Sequence, residues 1–449
     1  MIRHLFSEVE LPISSSYSRF GRVADADFKL VKSFGRVYQY YDEPKFWQYS
    51  AHLNSKFIDH EGNNFESVAS GVSFTSEKLA INKCLCESME RYCNHAFFNN
   101  STVYKGSYKD LRSKALNPYN VVAFSDNQLK NKGFKKFLVK NNSKFSWTEG
   151  ISLIKHEKIL IPSQLIYLSY PFISSEPVIY LGISTGAAGG SCLSAALVRG
   201  ICEVIERDAF MIFYLNKLNA NRVNLNQVND SRIKNLIQIL KQYKMELYTF
   251  DITTDINIPT HLSVVVDRTG FGKAITLGLK SDLNSVESII GSIEETFNSR
   301  SWIRTEYEKS NKKVTTSDLL KNSDIRTRGM LWFPVEIISN LDFLLKSPPL
   351  KTIVPGVKMK IPSGQQLKLL LDIFKARGYE VLYKDITIPV FKKMNYFVVK
   401  VIIPQMQPFY LDENIKLLGG SRLYKVPRIL GFKGKSSENE LNKFPHPFL

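Results

Sequence analysis

Residues 184–209, STGAAGGSCLSAALVRGICEVIERDA, join a glycine-rich turn to an apolar run that carries CEVIER at residues 202–207, and CESMER at residues 86–91 echoes that motif. The two motifs lie 116 residues apart, and extending both upstream without a gap pairs Ala80 with Ala196, Leu85 with Ile201 and Cys86 with Cys202. A duplicated helix accounts for the match. On a helix, Glu87, Glu90 and Arg91 fall at i, i+3 and i+4, as do Glu203, Glu206 and Arg207, so each copy presents two carboxylates and a guanidinium on one face. Around the second copy Val204, Ile205, Ala209, Phe210, Ile212 and Phe213 predict a helix sunk into the interior with its acids. Buried carboxylates must be paired or must bind a cation. A single E-x-x-E-R reads most simply as surface salt bridges, each worth roughly a few tenths of a kcal/mol. Two copies on apolar helices favour another reading: if the helices face each other, four carboxylates converge and two arginines cannot neutralise them. Hard oxygen ligands in that number suit Mg2+, which bridges to nucleotide phosphates.

A second duplication sets the fold class. Residues 233–266 align without gaps on residues 367–400, so that IKNLIQILKQYKMELYTFDIT faces LKLLLDIFKARGYEVLYKDIT and Asp251-Ile252-Thr253 matches Asp385-Ile386-Thr387. In each copy a helical spacing (Leu236, Ile237, Leu240; Leu370, Leu371, Phe374) gives way to a strand and then to a second strand, HLSVVVD or NYFVVKV. The class is therefore mixed α/β, with helices covering sheets in one large, internally repeated domain. KILIPSQLIYLSY (158–170) reads as strand, and a helix follows around residues 193–216. Residues 1–60 are expected as an N-terminal segment packed on a domain spanning 61–449. Candidate loops are 117–132, 304–318 and 346–356.

Composition narrows the function classes. The 449 residues are 44% hydrophobic and 23% charged, in keeping with a folded globular protein. No run approaches the roughly 18 apolar residues of a membrane span, and MIRHLFSEVELP lacks the apolar centre of a secretory signal, so a cytoplasmic protein with no membrane partner is expected. Cys84, Cys86, Cys93, Cys192 and Cys202 are odd in number and lie in apolar helical patterns, which fits reduced, buried thiols better than zinc. The net charge of +18 is spread along the chain without a regular aromatic stacking platform. That points to a lysine-rich surface suited to an acidic peptide, a nucleotide or an acidic partner protein, and not to nucleic acid.

The glycines before the second helix (Gly186, Gly189, Gly190) allow close backbone approach, and the helix N-terminus adds free N–H groups, a plausible phosphate cradle. Neither G-x-G-x-x-G nor G-x-x-x-x-G-K-[ST] is present, and GFKGKS (431–436) separates its glycines by two residues, where a P-loop needs four. Any nucleotide site is of a non-P-loop kind.

Taken together, these motifs resemble the YcaO family, whose members carry an E-x-x-E-R helix twice and a glycine-rich turn before the second. The likeness extends to WTEGISL and IPSQLIYL (147–153 and 161–168), VIIPQMQP (401–408), LGGSRLYKVP (418–427) and the ending FPHPFL. The later motifs are similar to the azoline-forming branch, called D proteins, which act on ribosomally made peptides. The resemblance implies ATP and Mg2+, with Glu87, Glu90, Glu203 and Glu206 as metal ligands. Arg91, Ser184, Gly189, Ser191, Arg207, Glu295 and Asn298 are implied around the nucleotide, and Arg300, Pro445 and Pro447 near the reaction. Departures from the family pattern are Lys83 for Ser, Ser191 for Asn, Ala195 for a carboxylate, Asn298 for Gln and Leu449 for a third proline.

The reaction so implied is backbone cyclodehydration of Cys, Ser or Thr in a precursor peptide to thiazoline or oxazoline. Expected partners are that peptide, a separate leader-binding protein (ThiF-like or similar), since the YcaO-like domain fills the 449 residues, a flavin dehydrogenase and a second copy of the chain. Two other readings are a scaffold subunit without ATPase activity and a thioamide-forming enzyme that needs a sulfur donor.

Overall fold

Each E-x-x-E-R motif lies on a helix that follows directly on a short strand, and the sheets are arranged around those two units. The computed structural model describes residues 3–10, 21–24, 30–54, 57–58, 64–65, 67–95, 103–172, 176–310, 317, 324–348 and 361–449. In chain order, β1 (Val31–Arg36), β2 (Trp47–Leu53) and β3 (Val68–Ser73) lead into α1 (Glu77–His95). Next come β4 (Val103–Ser107), β5 (Lys144–Ser152), β6 (Glu157–Pro162) and β7 (Ala187–Gly190), which leads into α2 (Leu193–Asn216). Then follow β8 (Asn221–Arg222), α3 (Ser231–Gln242), β9 (Met245–Asp251), β10 (Thr260–Asp267), β11 (Ile275–Ser281), α4 (Ser285–Glu295), α5 (Arg300–Lys309) and α6 (Ile325–Leu331). The chain closes with α7 (Ser363–Ala376), β12 (Leu382–Asp385), β13 (Phe397–Ile402) and α8 (Arg422–Ile429).

The strands form a three-stranded sheet β1-β2-β3, a four-stranded sheet β8-β9-β10-β11 and a six-stranded sheet β4-β5-β12-β13-β7 with β6 on β5. All of these pairings are antiparallel. The second duplication is thus real in space: α3-β9-β10 and α7-β12-β13 are the same helix-strand-strand unit, one in each large sheet. β3 shares a sheet with β1 and β2, so the expected boundary at residue 60 falls inside one sheet.

Some expected loops and strands are reassigned. Residues 304–309 belong to α5, whose Ile303 and Arg304 are buried, while 311–316, 318 and 349–356 lie outside the described residues. The run at 158–170 is strand only as far as Pro162, after which Ser163–Leu165 turns away, because proline gives up the N–H a ladder needs.

α2 is the central beam, packing on β7 and β13 on one side and on β10 and β11 on the other. Phe210, Met211, Ile212 and Leu215 are each 0% exposed, and burying each such side chain contributes about 1.5–3 kcal/mol. Its far half is fixed by charge. Arg422 of α8 donates to both Asp208 oxygens at 2.7 Å and to Asp255 at 2.7 and 3.1 Å, while Gln407 N donates to Asp208 at 2.7 Å. The LGGSRLYKVP and VIIPQMQP segments are thereby tied to the residue after Arg207. Arg422→Met should cost about 3–5 kcal/mol by leaving Asp208 buried without its cation; denaturant unfolding of the variant against wild type measures the loss.

Candidate active site

Glu87 and Glu203 occupy equivalent places on α1 and α2, and each accepts an N–H from the segment before its own helix. Ser70 N donates to Glu87 at 2.8 Å and Gly186 N to Glu203 at 3.2 Å, each bond spanning 17 residues of sequence. The duplication therefore preserves the bond as well as the side chains. The second glutamates reach across to a sheet: Glu90 accepts from Gly189 N at 2.9 Å and from the Tyr396 hydroxyl at 3.0 Å, and Glu206 accepts from Ser281 N at 3.2 Å. Glu295, at the end of α4, accepts from Leu279 N at 2.7 Å.

Gly186 is the turn residue just before β7 and Gly189 lies within it, so an acid from each repeated helix arrives at one short stretch of backbone, three residues or about 10 Å apart. Gly186 sits at φ +84, where a side chain is strained, and a side chain at Gly189 would strike the Tyr396 ring that holds Glu90.

Few cations close directly on these acids, although Lys280 acts on Glu206 and Glu295 and Arg199 on Glu90 from further off. Arg91 closes on Glu87 through Nε at 2.8 Å and Nη2 at 2.6 Å. Arg207 Nη2 stands 3.5 Å from Glu206 and 3.9 Å from both Glu203 and Glu295, one guanidinium among three carboxylates. Its buried Nη1 finds no hydrogen-bond partner among the described residues, and Phe448 covers it with the ring centroid at 4.0 Å. Burial, then the charge of Glu87, pushes Glu90 up to about 7. Burial, then Glu206, does the same to Glu295, also to about 7, and Glu203 is raised chiefly by burial. Lys400, bonded to the Ile183 and Thr185 carbonyls at 2.6 and 2.8 Å, is lowered to about 8 by burial against the pull of Glu203.

Among the described residues no group of three or more His, Cys, Asp or Glu side chains forms a ready-made metal cage. Each carboxylate is instead held at its own backbone N–H with lone pairs left over. Crowded, raised carboxyls with spare oxygens and an orphaned Arg207 nitrogen fit a divalent cation carrying a phosphorylated ligand, whose charges would relieve both.

The other expected residues divide into two sets. Pro447 lines a cleft with Glu295 and Asn298, and the Pro445 carbonyl accepts from the Tyr214 hydroxyl at 2.9 Å and from Trp332 Nε1 at 3.2 Å, so the tail is docked. The Ser184 carbonyl accepts from Ala187 N in the turn before β7, and Ser191 stands between β7 and α2. Arg300, by contrast, is 1% exposed and braces Glu43, Asp267 and the Lys273 carbonyl at 2.5–2.6 Å, so its guanidinium does not face the site.

The glycine-rich turn is no open phosphate cradle. Its Gly186 and Gly189 N–H groups hold glutamates, and Ser194 N, at the start of α2, donates to Glu8 at 2.7 Å. Lys83 is neutralised by Glu294 at 2.5 Å, which ties α1 to α4, and Ala195 is buried against Gly190. Tyr396, Lys400 and Phe448 also border this candidate site, although no motif assigns them to it; the first two lie in the second duplication, where NYFVVKV places a lysine in a strand otherwise suited to burial.

The family described as YcaO cyclodehydratase, ATP- and Mg2+-binding, matches residues 74–407, and the chain belongs to that family. It superposes on a heterocyclase solved with substrate and cofactor (TM-score 0.81, 23% identity, 99% of this chain and 60% of that one). It also matches the heterocyclase TruD (0.64, 25%, 81% and 50%). YcaO from Methanopyrus kandleri, bound with AMPPCP and Mg2+, gives a TM-score of 0.61 at 13% identity over 91% of this chain and 94% of that one. The E. coli microcin synthetase McbBCD complex gives 0.57 at 15% over 83% and 88%. An uncharacterized protein of Methanothermobacter thermautotrophicus is 22% identical over 60% of this chain and 67% of its own. Another, from the tfuA 3' region of Rhizobium leguminosarum bv. trifolii, is 28% identical over 27% of this chain and 29% of its own. The chain thus spans 60% and 50% of the two heterocyclase chains and less than a third of the Rhizobium relative.

A carboxyl with a raised folded pKa stabilises least when ionised, so Glu90 holds the fold back as pH rises from its unfolded value towards about 7 and beyond. In divalent-free buffer Glu90→Gln should therefore melt a few degrees above wild type at pH 8 and level with it near pH 5, with Mg2+ erasing the gain; thermal melts at both pH values check this.

Proposed function

We propose that the chain is the ATP- and Mg2+-dependent cyclodehydratase subunit of a peptide-modifying complex, forming thiazoline or oxazoline from Cys, Ser or Thr of a precursor peptide. One observation carries the reading: one acid of each duplicated pair is held by the Gly186–Gly189 backbone, and the docked tail lies beside the second pair. Glu87, Glu90, Glu203 and Glu206 are the Mg2+ ligands in this reading, with Arg91, Arg207, Ser184, Gly189, Ser191, Glu295 and Asn298 around the nucleotide.

ATP supplies the phosphoryl group that turns an amide oxygen, a poor leaving group, into a good one. The substrate's thiol or hydroxyl adds to the carbon of the preceding amide, and the former carbonyl oxygen departs as phosphate, leaving ADP and the ring. Each residue's part is placement and charge: the carboxylates fix cations, Arg207 neutralises developing negative charge, and Phe448 with Pro447 keeps water from that side. Arg300 acts through others, bracing the loop that carries Lys273, and Pro445 anchors the tail through Tyr214 and Trp332.

The peptide, a leader-binding partner of ThiF-like or similar kind, a flavin dehydrogenase and a second copy of the chain complete the proposal. The microcin synthetase neighbour, a complex, supports the need for partners. Incubation with ATP, Mg2+, partner and precursor peptide should give water loss in the peptide with ADP formation. Complex assembly without turnover would favour the scaffold reading, and dependence on a sulfur donor the thioamide one. Glu203→Gln should lower turnover by about 10²-fold or more with a melt no lower than that of wild type; full activity in that variant would remove Glu203 from the site.

A further inference from the structure

Lys273 is a buried lysine with no ion-pair partner among the described residues, at a place no sequence motif marks. It lies in the turn between β10 and β11, is 1% exposed, and lines the cleft formed by Glu295, Asn298, Ser299 and the tail residues Pro447 to Leu449. Its backbone is fixed, since the Lys273 carbonyl accepts from Arg300 Nη1 at 2.6 Å, and Ala274 N donates to the Phe333 carbonyl at 2.9 Å.

The acidic side chains nearby are committed elsewhere: Asp267 and Glu43 to Arg300, and Glu295 to Leu279 N and Arg207. Among the described residues its ammonium makes neither an ion pair nor a hydrogen bond, and its neighbouring charge is the like-signed Arg300. Burial, then Arg300, lowers it to about 7. A buried ammonium in this setting destabilises the fold until an anion arrives. The cleft offers such an anion a way in, because Glu295 belongs both to its lining and to the carboxylate cluster around Arg207.

We propose that Lys273 is a phosphoryl-binding residue, its ammonium closing the tail-side end of the site on the terminal phosphoryl group of the nucleotide. The proposal rests on the nucleotide reading above and adds to it a residue that discriminates triphosphate from diphosphate. Asn298 and Ser299, on the same wall, are neutral hydrogen-bonding groups that suit the remaining phosphoryl oxygens.

The test is calorimetric titration of the full chain with Mg2+·AMPPCP and with Mg2+·ADP, for wild type and Lys273→Met. The variant should bind AMPPCP about tenfold or more weakly, the loss of one charge-assisted contact, and ADP within about twofold of wild type. It should also melt no lower than wild type, since an unpaired buried charge has been removed. Unchanged AMPPCP affinity overturns the proposal, as does equal weakening of both nucleotides or a lowered melt with both lost, which marks a structural role. Should Lys273→Met fail to fold, Lys273→Gln is read by the same criteria. Wild type that binds neither nucleotide overturns the nucleotide reading itself and Lys273 with it. Wild type that binds both, with a variant indistinguishable from it, overturns Lys273 alone.

Discussion

Two glutamates from different helices end on one short stretch of backbone, the last turn residue before β7 and β7 itself. Gly186 N–H holds Glu203 and Gly189 N–H holds Glu90, so β7 fixes the distance between the repeated acid pairs. Much of the molecule serves that juncture. β13 pairs with β7 from Phe397↔Gly190 to Lys400↔Ala187, which brings Tyr396 to Glu90 and Lys400 towards Glu203. α2, which follows β7 after only Ser191 and Cys192, is held between the two large sheets. Hydrogen bonds to ionised groups are among the stronger ones, and here they fix side chains that ligand binding alone would otherwise have to order.

The price of this arrangement is electrostatic. Three carboxylates share Arg207, and burial raises Glu90, Glu203 and Glu295. The stabilising charge pairs lie elsewhere: Arg422 on Asp208 and Asp255, Arg300 on Glu43 and Asp267, and Arg304 on Asp42. The structure thus separates braces, whose ions close on each other at 2.5–2.7 Å, from the site, where Arg207 stands 3.5–3.9 Å from its carboxylates. Loose pairing of this kind is where binding of charged ligands has the most to relieve.

The tail belongs with the site for a packing reason. Phe448 is 5% exposed and lies over Arg207, against Phe409 and Phe210, while His446 is 0% exposed beside the Tyr410 carbonyl. The glycine-rich turn shows the opposite outcome: its N–H groups were available on sequence grounds and are occupied in the fold, by glutamates and by Glu8 of the N-terminal segment.

Local periodicity and internal repetition determined a good deal by themselves. The spacing of CESMER and CEVIER identified both helices and the face their acids share, and the 233–266 and 367–400 match identified two helix-strand-strand units, because helical and strand periods are short-range properties of the chain. What each acid touches is set by strands distant in sequence, and only the tertiary structure decided it. Glu90 meets Gly189 and Tyr396, Glu206 meets Ser281, Lys83 is claimed by Glu294, and Arg300 turns to Glu43 and Asp267. Lys273 illustrates the limit most clearly: nothing in FGKAITLG distinguishes it from a surface lysine, and its burial without an ion-pair partner among the described residues arises when sheet, helix and tail close around it.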